Sequence, residues 1–542
     1  MHRKNNPNKE PKFIVVTGGV LSGLGKGIAA ASIGYLISSR LKVTPIKCEG
    51  YLNIDPGTMN PLEHGEVFVL NDGEEADMDF GHYERFLDIN CKSHWNVTMG
   101  KIYQNVFDKE RKGEYLGKTV QLIPHVTDEI KNTWFKIAAE EDSDIVLIEI
   151  GGTVGDIETA LHIEAARQLK KQVGQNNILY IHLTYIPVLK SVGEQKSKPT
   201  QQSVNLLREK GILPDIIIGR CSQMLEPKIK QKIATFCDVD PNAVITGLDV
   251  DSIYEIPLIF DQENVIDIIH KKLQIYSPPE LSQWRKLVHN LKNPESEITI
   301  AICGKYTTLE DSYASINESL KHCSAHTKTK INLKFIETTK IENRELTPSQ
   351  SLQNIAGVII PGGFGTRGTE GKIQIIKYCR ENNIPILGIC YGLQLMVIEF
   401  ARNMCGLIDA NSSEINNTQH PVVDLMPEQK QVTSKGATMR LGAYENQLLE
   451  NSLVHKLYNS TLISERHRHR YEVNPKYHDI LKQKGLIISG YSMNNKLAEF
   501  IELNNHPYFI GTQAHPELKS KLIRPAPLFL GLVKAAINQL NS

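Results

Sequence analysis

Short apolar runs of strand length recur through the first half of the chain, with helical stretches between them: Phe13 to Thr17, Val43 to Lys47, Ile145 to Ile150, Ile178 to Leu183 and Ile216 to Ile218. Runs that are apolar throughout, rather than alternating, belong to strands covered on both faces. The pattern therefore predicts a parallel sheet flanked by helices. It breaks between Tyr276 and Ser296, where Ser277-Pro278-Pro279, a short amphipathic piece around Trp284 to Leu291, and Asn293-Pro294 read as an interdomain connection. A second series then begins with Ile298 to Cys303, Ile331 to Ile336, Gly357 to Ile360, Ile384 to Ile389, Ile487 to Ser489, Leu497 to Ile501 and Phe509 to Gln513. The predicted architecture is two α/β domains in tandem, each a largely parallel sheet flanked by helices. Residues 1–11 are expected to form a disordered tail, 12–276 and 297–542 the domains, and 277–296 the linker.

Composition adds exclusions. The chain has 542 residues, 41% hydrophobic and 23% charged, with 38 Gly and 25 Pro, so it is neither collagen-like nor mostly disordered. Basic and acidic residues balance at 61 each, leaving no global positive field for a nucleic-acid backbone, so any anion must be met locally. The first twelve residues are polar and basic without an apolar core, and no later run approaches the ~18 apolar residues that span a bilayer. No membrane association and a cytoplasmic location are the expectation. Nine scattered cysteines without a C-x-x-C pair argue against a disulfide framework or a zinc site, and most are expected to be buried thiols.

Chemistry enters first where Phe13 to Thr17 runs into Gly18-Gly19-Val20-Leu21-Ser22-Gly23-Leu24-Gly25-Lys26-Gly27 and then into the helix-forming Ile28 to Ile33. Strand, glycine loop, lysine and helix come in the order a phosphate cradle requires. Glycines let backbone N–H groups turn to the anion, the helix N-terminus adds partial positive charge, and Lys26 neutralises the outer phosphates. The strict G-x-x-x-x-G-K-[ST] spacing fails, because five residues separate Gly19 from Gly25 and Gly27 replaces the hydroxyl residue. A magnesium ion must then be held by carboxylates elsewhere. Candidates are the acidic run Asp72-Gly73-Glu74-Glu75-Ala76-Asp77-Met78-Asp79 and Glu149, inside the apolar strand ending at Ile150. A carboxylate in such a strand needs a partner, and Mg²⁺ with bound phosphates would supply one. Gly151-Gly152-Thr153-Val154-Gly155-Asp156 follows at the strand's carboxyl end, where open α/β sheets bind ligands.

A different chemistry lies in the second half. Ile384-Pro385-Ile386-Leu387-Gly388-Ile389-Cys390-Tyr391-Gly392-Leu393-Gln394 is a strand ending in G-x-C-x-G and running into a helix, a nucleophile elbow with sulfur in place of oxygen. The helix N-terminus offers backbone donors to an oxyanion. Downstream, Gly511-Thr512-Gln513-Ala514-His515-Pro516-Glu517 supplies a base and its orienting carboxylate, so Cys390, His515 and Glu517 form a candidate relay. Pro361-Gly362-Gly363-Phe364-Gly365 is a candidate second oxyanion donor.

Together these segments resemble the CTP synthase family over essentially the whole chain, from about Lys12 to Asn538. The PGGFG, GICYGLQ and HPE segments are similar to those of class I glutamine amidotransferases. More diagnostic are Asn53-Ile54-Asp55-Pro56-Gly57-Thr58-Met59-Asn60-Pro61, His64-Gly65-Glu66-Val67, Gly81-His82-Tyr83-Glu84-Arg85-Phe86, and Glu149 through Glu158. The resemblance implies a P-loop synthetase domain joined to a glutaminase domain. It implies ATP-dependent amination of UTP to CTP through a 4-phosphorylated intermediate, with ammonia from L-glutamine or free in solution. It places ATP at Gly23, Leu24, Gly25, Lys26, Gly27, Ile28, Asp79, Leu248, Asp249 and Val250, and Mg²⁺ on Asp79 and Glu149. UTP or CTP contacts fall at Ser22, Lys47, Asp156, Ile157, Glu158, Lys196, Ser197, Lys198, Pro199, Thr200, Gln201 and Lys232. Glutamine is assigned to Gly363, Tyr391, Gly392, Leu393, Gln394, Glu414 and Arg470. From spacing alone the run His467-Arg468-His469-Arg470 reads as a solvated face. The family further implies GTP activation, CTP inhibition, a homotetramer, in some members filaments, and an ammonia passage whose exit lies near His64 and Val67.

The sequence departs from the commonest family pattern at Glu49-Gly50, where Asp-Pro is usual, at Ser197 for Thr, and at Leu248, where many bacterial members have Lys. The stretch before Met439-Arg440-Leu441-Gly442 is also short. None of these removes a reacting group. Two other readings compete: a P-loop ligase that amidates a carboxylate, which lacks a use for the pyrimidine-site segments, and a nucleotide-binding protein without turnover, which leaves the intact reactive residues unexplained.

Overall fold

The computed structural model describes residues 10–54, 66–189, 193–304, 313–363, 365–425, 439–494 and 496–541. His64, Phe364 and most of the Asn53 to Pro61 stretch lie outside the described residues. By contacts the chain divides into two units, Met1–Pro56 with His82–Arg285, and Gly57–Gly81 with Lys286–Ser542. Position in the sequence had assigned residues 57–81 to the first domain, whereas the described part of that stretch packs with the second.

The first unit holds a seven-stranded sheet in the order Val244–Leu248, Ile216–Cys221, Ile178–Tyr185, Lys12–Gly18, Ile145–Ile150, Val43–Glu49, Asn96–Thr98. Every neighbouring pair is parallel. Its strands are buried along their length, as continuous apolar runs require. Polar residues gather toward the carboxyl ends: Thr17, Lys47, Glu149, His182 and Thr184. Parallel register sets Lys47 opposite Glu149 and Glu149 opposite Val16, so topology alone delivers these groups to one edge, where doubly wound sheets bind ligands.

The second unit holds a nine-stranded sheet in the order Thr329–Glu337, Ser296–Gly304, Gly357–Ile360, Ile386–Ile389, Phe509–Thr512, Ala498–Glu502, Ile487–Ser492, Arg440–Leu448, Leu462–His469. The first five strands are parallel, and from Phe509–Thr512 outward all pairings are antiparallel. The antiparallel half contains two strands that the hydrophobic pattern does not announce, Arg440–Leu448 and Leu462–His469, because they carry charged residues indoors.

Residues 277–292 are not a loose tether. Ser277 Oγ donates to the Ile37 carbonyl at 2.7 Å and accepts from Arg40 N at 3.1 Å, which closes the carboxyl end of helix Lys26–Ile37. The amphipathic piece forms helix Ser282–Lys292. Its Trp284 is fully buried, 4.2 Å from Tyr35, 5.3 Å from Phe86 and 5.8 Å from Tyr254 between ring centroids, and its Nε1 donates to the Tyr254 carbonyl at 2.8 Å. Trp284→Ala should cost about 3–5 kcal/mol by leaving a cavity in this cage. Urea unfolding followed by far-UV circular dichroism checks it, and an unchanged first transition would mean that the cage does not stabilise the unit.

Candidate active sites

The glycine loop lies between strand Lys12–Gly18 and helix Lys26–Ile37. Gly23 and Gly25 take φ of +75° and +85°, and Gly25 precedes the helix directly, so the backbone turns in a conformation that side chains disfavour. A Cβ at Gly19 would stand 1.8 Å from Ser203 Oγ, so glycine is required there by packing as well. Beneath the loop, Thr17 Oγ1, His182 and Ser203 form a buried chain of 2.9 and 2.8 Å hydrogen bonds. Burial, reinforced by Lys26, lowers the His182 pKa to about 3, so it is a neutral structural histidine. Its sequence signal was a polar residue inside an otherwise apolar strand.

Lys26 is buried, and its Nζ donates to the Gly152 carbonyl at 2.8 Å. The phosphate-loop lysine thus reaches the turn after strand Ile145–Ile150. Glu149 is fully buried but has partners within the protein: Lys47 Nζ at 2.6 Å and the Tyr83 hydroxyl. A bound cation is therefore not required to explain its burial. Lys47 also lies 3.3 Å from Glu49, so one ammonium faces two carboxylates. A Cβ at Gly50 would fall 2.8 Å from Glu158 Cβ, which ties the Glu49-Gly50 departure to a close backbone approach.

The remaining nucleotide candidates surround this edge unevenly. Asp156 accepts from Thr153 N at 2.8 Å and from its Oγ1 at 2.6 Å, fixing the turn after Gly152, while Ile157 is 88% exposed and Glu158 is exposed. Ser197 precedes helix Lys198–Glu209, and Thr200 and Gln201 face inward, Thr200 onto Thr184 at 2.8 Å and Gln201 onto Ser197 at 3.1 Å. Lys196 pairs with Glu194 at 2.5 Å. Lys232 stands exposed on helix Pro227–Cys237. Leu248 ends its strand, and Asp249 accepts from Arg220, whose Nη1 lies 3.2 Å from where a Gly25 Cβ would be. Sequence reading overlooked Arg220 because one arginine at a strand end has no motif around it.

Asp79 sits in the first turn of helix Met78–Leu87, and Glu75 from the same acidic run is committed to Arg468 at 2.7 Å. Among the described residues no cluster of three or more His, Cys, Asp or Glu is placed to hold a metal ion by itself.

In the second unit, register builds the site. Gly388 pairs with Gly511 and Ile389 with Thr512, so Cys390 and Gln513 follow side by side, and Cys390 N donates to the Thr512 carbonyl at 2.6 Å. Cys390 has φ +52° and ψ −101°, a strained conformation for a residue with a side chain, directly before helix Tyr391–Asn403. The flanking glycines are both required: a Cβ at Gly392 would meet the Ile360 carbonyl at 2.2 Å, and one at Gly388 the Met396 sulfur at 2.4 Å. The thiol accepts from Gln513 Nε2 at 3.7 Å and points to the Arg468 carbonyl at 3.9 Å.

His515 Nδ1 lies 2.7 Å from Glu517 Oε1, and its buried Nε2 has no hydrogen-bond partner. Burial works against the imidazolium, but Glu517 and then Cys390 outweigh it and raise the His515 pKa to about 10. A Cβ at Gly362 would sit 2.9 Å from His515 Cε1 and 3.7 Å from Cys390 Cβ, so Gly362 borders both. Open space surrounds the Cβ position of Gly363. The Tyr391 hydroxyl meets Thr369 at 2.8 Å and the Gly365 carbonyl at 3.1 Å, and Gly365 N donates to Glu414 at 3.4 Å. Gln394 is held by the Tyr471 carbonyl at 2.8 Å and Gln513 at 3.3 Å. Leu393 is core, and Arg470 is half-buried between strands Leu462–His469 and Tyr471–Val473. Eight of the nine cysteines are buried and none is disulfide-bonded; burial pushes the Cys303 thiol up to about 12, the inert case.

The reading of 467–470 as a solvated face is corrected. His467 and His469 are buried, 2.9 Å apart, and burial together with Arg440 holds both imidazoles well below their usual pKa. Arg440 pairs with Glu499 at 2.7 Å and Glu472 at 3.0 Å in the same interior, which lets charged strands sit inside the unit.

Residues 12–275 match the family model described as CTP synthase N-terminus, and residues 308–535 that of class-I glutamine amidotransferases. A CTP synthase of Borreliella burgdorferi is 54% identical over 98% of this chain and 100% of its own length. One from Methanocaldococcus jannaschii is 54% identical over 97% of this chain and 99% of its own. The chain belongs to the CTP synthase family. A solved structure titled as the Trypanosoma brucei CTPS glutaminase domain with bound acivicin is 34% identical, covering 44% of this chain and 94% of that one, with a TM-score of 0.41. CTP synthase membership accounts for a glycine loop before a helix and a cysteine at a strand-to-helix elbow in one chain. Among the described residues no helix is long and apolar enough to cross a membrane.

The His515 environment generates a pH prediction. A raised pKa keeps the imidazolium through neutral pH. The stability it contributes is full below about pH 6.5 and is lost as pH rises through about 10. Glu517→Gln removes the leading stabiliser of that proton, so the alkaline limb of glutamine hydrolysis should move to lower pH by about one unit or more, with the rate reduced at least ~10-fold. A pH–rate profile of glutamate release with an unmoved limb would contradict this.

Proposed function

We propose that this chain carries out the ATP-dependent amination of UTP to CTP, taking ammonia from glutamine hydrolysis. The observation that carries the reading is full-length identity of 54% to CTP synthases, spanning both the phosphate-loop unit and the Cys390–His515–Glu517 unit.

Each group then has a task. Cys390 sulfur attacks the glutamine amide carbon, with backbone N–H groups beside Gly363 and Tyr391 facing the developing oxyanion. His515, already protonated at neutral pH, gives its proton to the departing ammonia as the C–N bond breaks, while Glu517 fixes the imidazole through Nδ1. Water, deprotonated by His515, then cleaves the thioester to glutamate. Gly363, Tyr391, Gly392, Leu393 and Gln394 shape the glutamine pocket, with Glu414 for the substrate ammonium and Arg470 for its carboxylate.

In the first unit the uracil C4 oxygen is a poor leaving group until it is phosphorylated by ATP. Lys26 leaves the Gly152 carbonyl for the phosphates, and its charge stabilises the transferred phosphoryl. Ammonia attacks C4 and phosphate departs. Gly23 to Ile28 hold the ATP phosphates, and Leu248 to Val250 lie toward the base. UTP is taken by Ser22, Lys47, Asp156 to Glu158, Lys196 to Gln201 and Lys232. Glu149, at the carboxyl end of its strand, fits the mode in which Mg²⁺ uses one or two carboxylates and substrate phosphates, and family resemblance alone implies Asp79 as a further ligand. When bound, Mg²⁺ would offset phosphate charge. GTP as activator, CTP as inhibitor, a homotetramer and a cytoplasmic location complete the proposal on family resemblance.

The deciding assay is absorbance-monitored conversion of UTP with ATP, Mg²⁺ and GTP, run with glutamine and separately with ammonium chloride. Cys390→Ala should lose glutamine-dependent CTP formation by at least ~10³-fold and keep the ammonia-dependent reaction. Lys26→Ala should lose CTP formation from both sources, by ~10²-fold or more, and keep glutamine hydrolysis. Loss of both reactions in Cys390→Ala would sink the two-site assignment.

A further inference from the structure

Residues 66–81 come from the N-terminal part of the chain but pack within the second unit. Phe68–Val69 and Glu75–Ala76 pair as an antiparallel hairpin, with Leu70 N donating to the Glu74 carbonyl at 2.9 Å. This hairpin lies across strands Arg440–Leu448 and Leu462–His469. Ala443 N donates to the Asn71 carbonyl at 2.8 Å. Gly442, at φ +91°, approaches so closely that its Cβ would fall 2.7 Å from both Asn71 O and Gly73 N.

Three connections run from this segment to the three members of the cysteine site. Glu75, almost fully buried, accepts from Arg468 Nε and Nη2 at 2.7 Å each, and the Arg468 carbonyl is the one that faces Cys390 Sγ at 3.9 Å. Asn71 Oδ1 accepts from Arg466 Nε at 2.7 Å, the Arg466 guanidinium lies 5.3 Å over the Phe68 ring, and the Arg466 carbonyl accepts from His515 N at 2.7 Å. Glu66 accepts from Ser315 N and Oγ at 2.7 and 2.6 Å at the start of helix Ala314–Thr327. One turn on, Ser319 Oγ reaches the Glu517 carbonyl at 3.4 Å. The side chains of Arg466 and Arg468 grip the hairpin while their carbonyls face His515 N and Cys390 Sγ.

We propose that residues 66–75 are a positioning element for glutamine hydrolysis, with Glu75 and Arg468 its principal pair, so that the Cys390–His515–Glu517 geometry depends on a segment tethered to the nucleotide-binding unit. The inference rests on the glutaminase reading of that site. The tether is covalent: the segment continues directly into the first unit at His82, beside Tyr83, the donor to Glu149. Glu75 and Arg468 touch neither reacting partner, so they act through backbone placement, and displacements near 1 Å suffice to cost about 10²-fold in rate.

The test uses the full chain with Glu75→Gln, Arg468→Met and the reversed pair Glu75→Arg with Arg468→Glu. Each single variant should lower kcat for glutamate release by about 10- to 100-fold with KM for glutamine within about threefold. Ammonia-dependent CTP formation should stay within about twofold, and the reversed pair should recover at least tenfold over the poorer single variant. Unchanged kcat in both singles, an equal loss of the ammonia-dependent reaction, or a reversed pair no better than either single overturns the proposal. Glu75→Gln, nearly isosteric, carries the test if Arg468→Met does not fold. Wild-type chain that releases glutamate but makes no CTP from either nitrogen source would defeat the UTP-amination reading while leaving the positioning result intact.

Discussion

The second unit depends on the backbone of Cys390. Its φ of +52° and ψ of −101° are held by a hydrogen bond to Thr512, by two glycines that admit no Cβ, and by the start of a buried helix. Such a conformation costs of order 1–3 kcal/mol and persists only where its surroundings over-determine it. In the proposed reaction the strain has a chemical return: it sets the thiol directly before the N-terminus of helix Tyr391–Asn403, where both can act on one substrate carbon. His515 reaches the same point because strand Phe509–Thr512 is the parallel neighbour of Ile386–Ile389, and not because of any local feature around the histidine.

Much of this was legible in the sequence because the same residues serve packing and chemistry. Continuous runs of Ile, Val and Leu identified the parallel strands. G-x-C-x-G identified the elbow because glycine is the only residue that fits against Ile360 and Met396. What escaped was polar matter placed indoors. Strand Leu462–His469 reads as a charged surface ribbon, yet His467 and His469 lie in the interior and Arg466 is fully buried. No periodicity can show this, since the compensation comes from Arg440, Glu472 and Glu499 on other strands and from Asn71 nearly four hundred positions away. The placement of residues 66–81 was hidden for the same reason: partners far apart in sequence decide it.

Glu149 gives the converse lesson. The inference that a buried carboxylate requires a partner was sound, but the partner present is the Lys47 ammonium with the Tyr83 hydroxyl. Register placed Lys47 directly opposite, and register is what a single strand pattern does not contain. The sequence thus located an electrostatic need without locating the group that answers it.

On the proposed assignment of residues, the two sites solve the problem of ready reactivity in opposite ways. At the cysteine, reacting groups are fixed before substrate arrives: strained backbone, imidazole locked onto Glu517, amide of Gln513 on the sulfur. Little rearrangement is then left for the reaction itself. At the phosphate loop, the charged groups are satisfied by neighbours they can release. Lys26 rests on a neutral carbonyl, and exchanging that acceptor for a phosphate oxygen replaces an ordinary hydrogen bond by a charge-assisted one. Lys47 is shared between Glu49 and Glu149, an arrangement whose balance shifts when further charge arrives. A fixed nucleophile suits a small, constant substrate amide. Exchangeable ion pairs suit polyanions that must bind, react and leave, because the protein's own partners hold the charges during the interval when no nucleotide does.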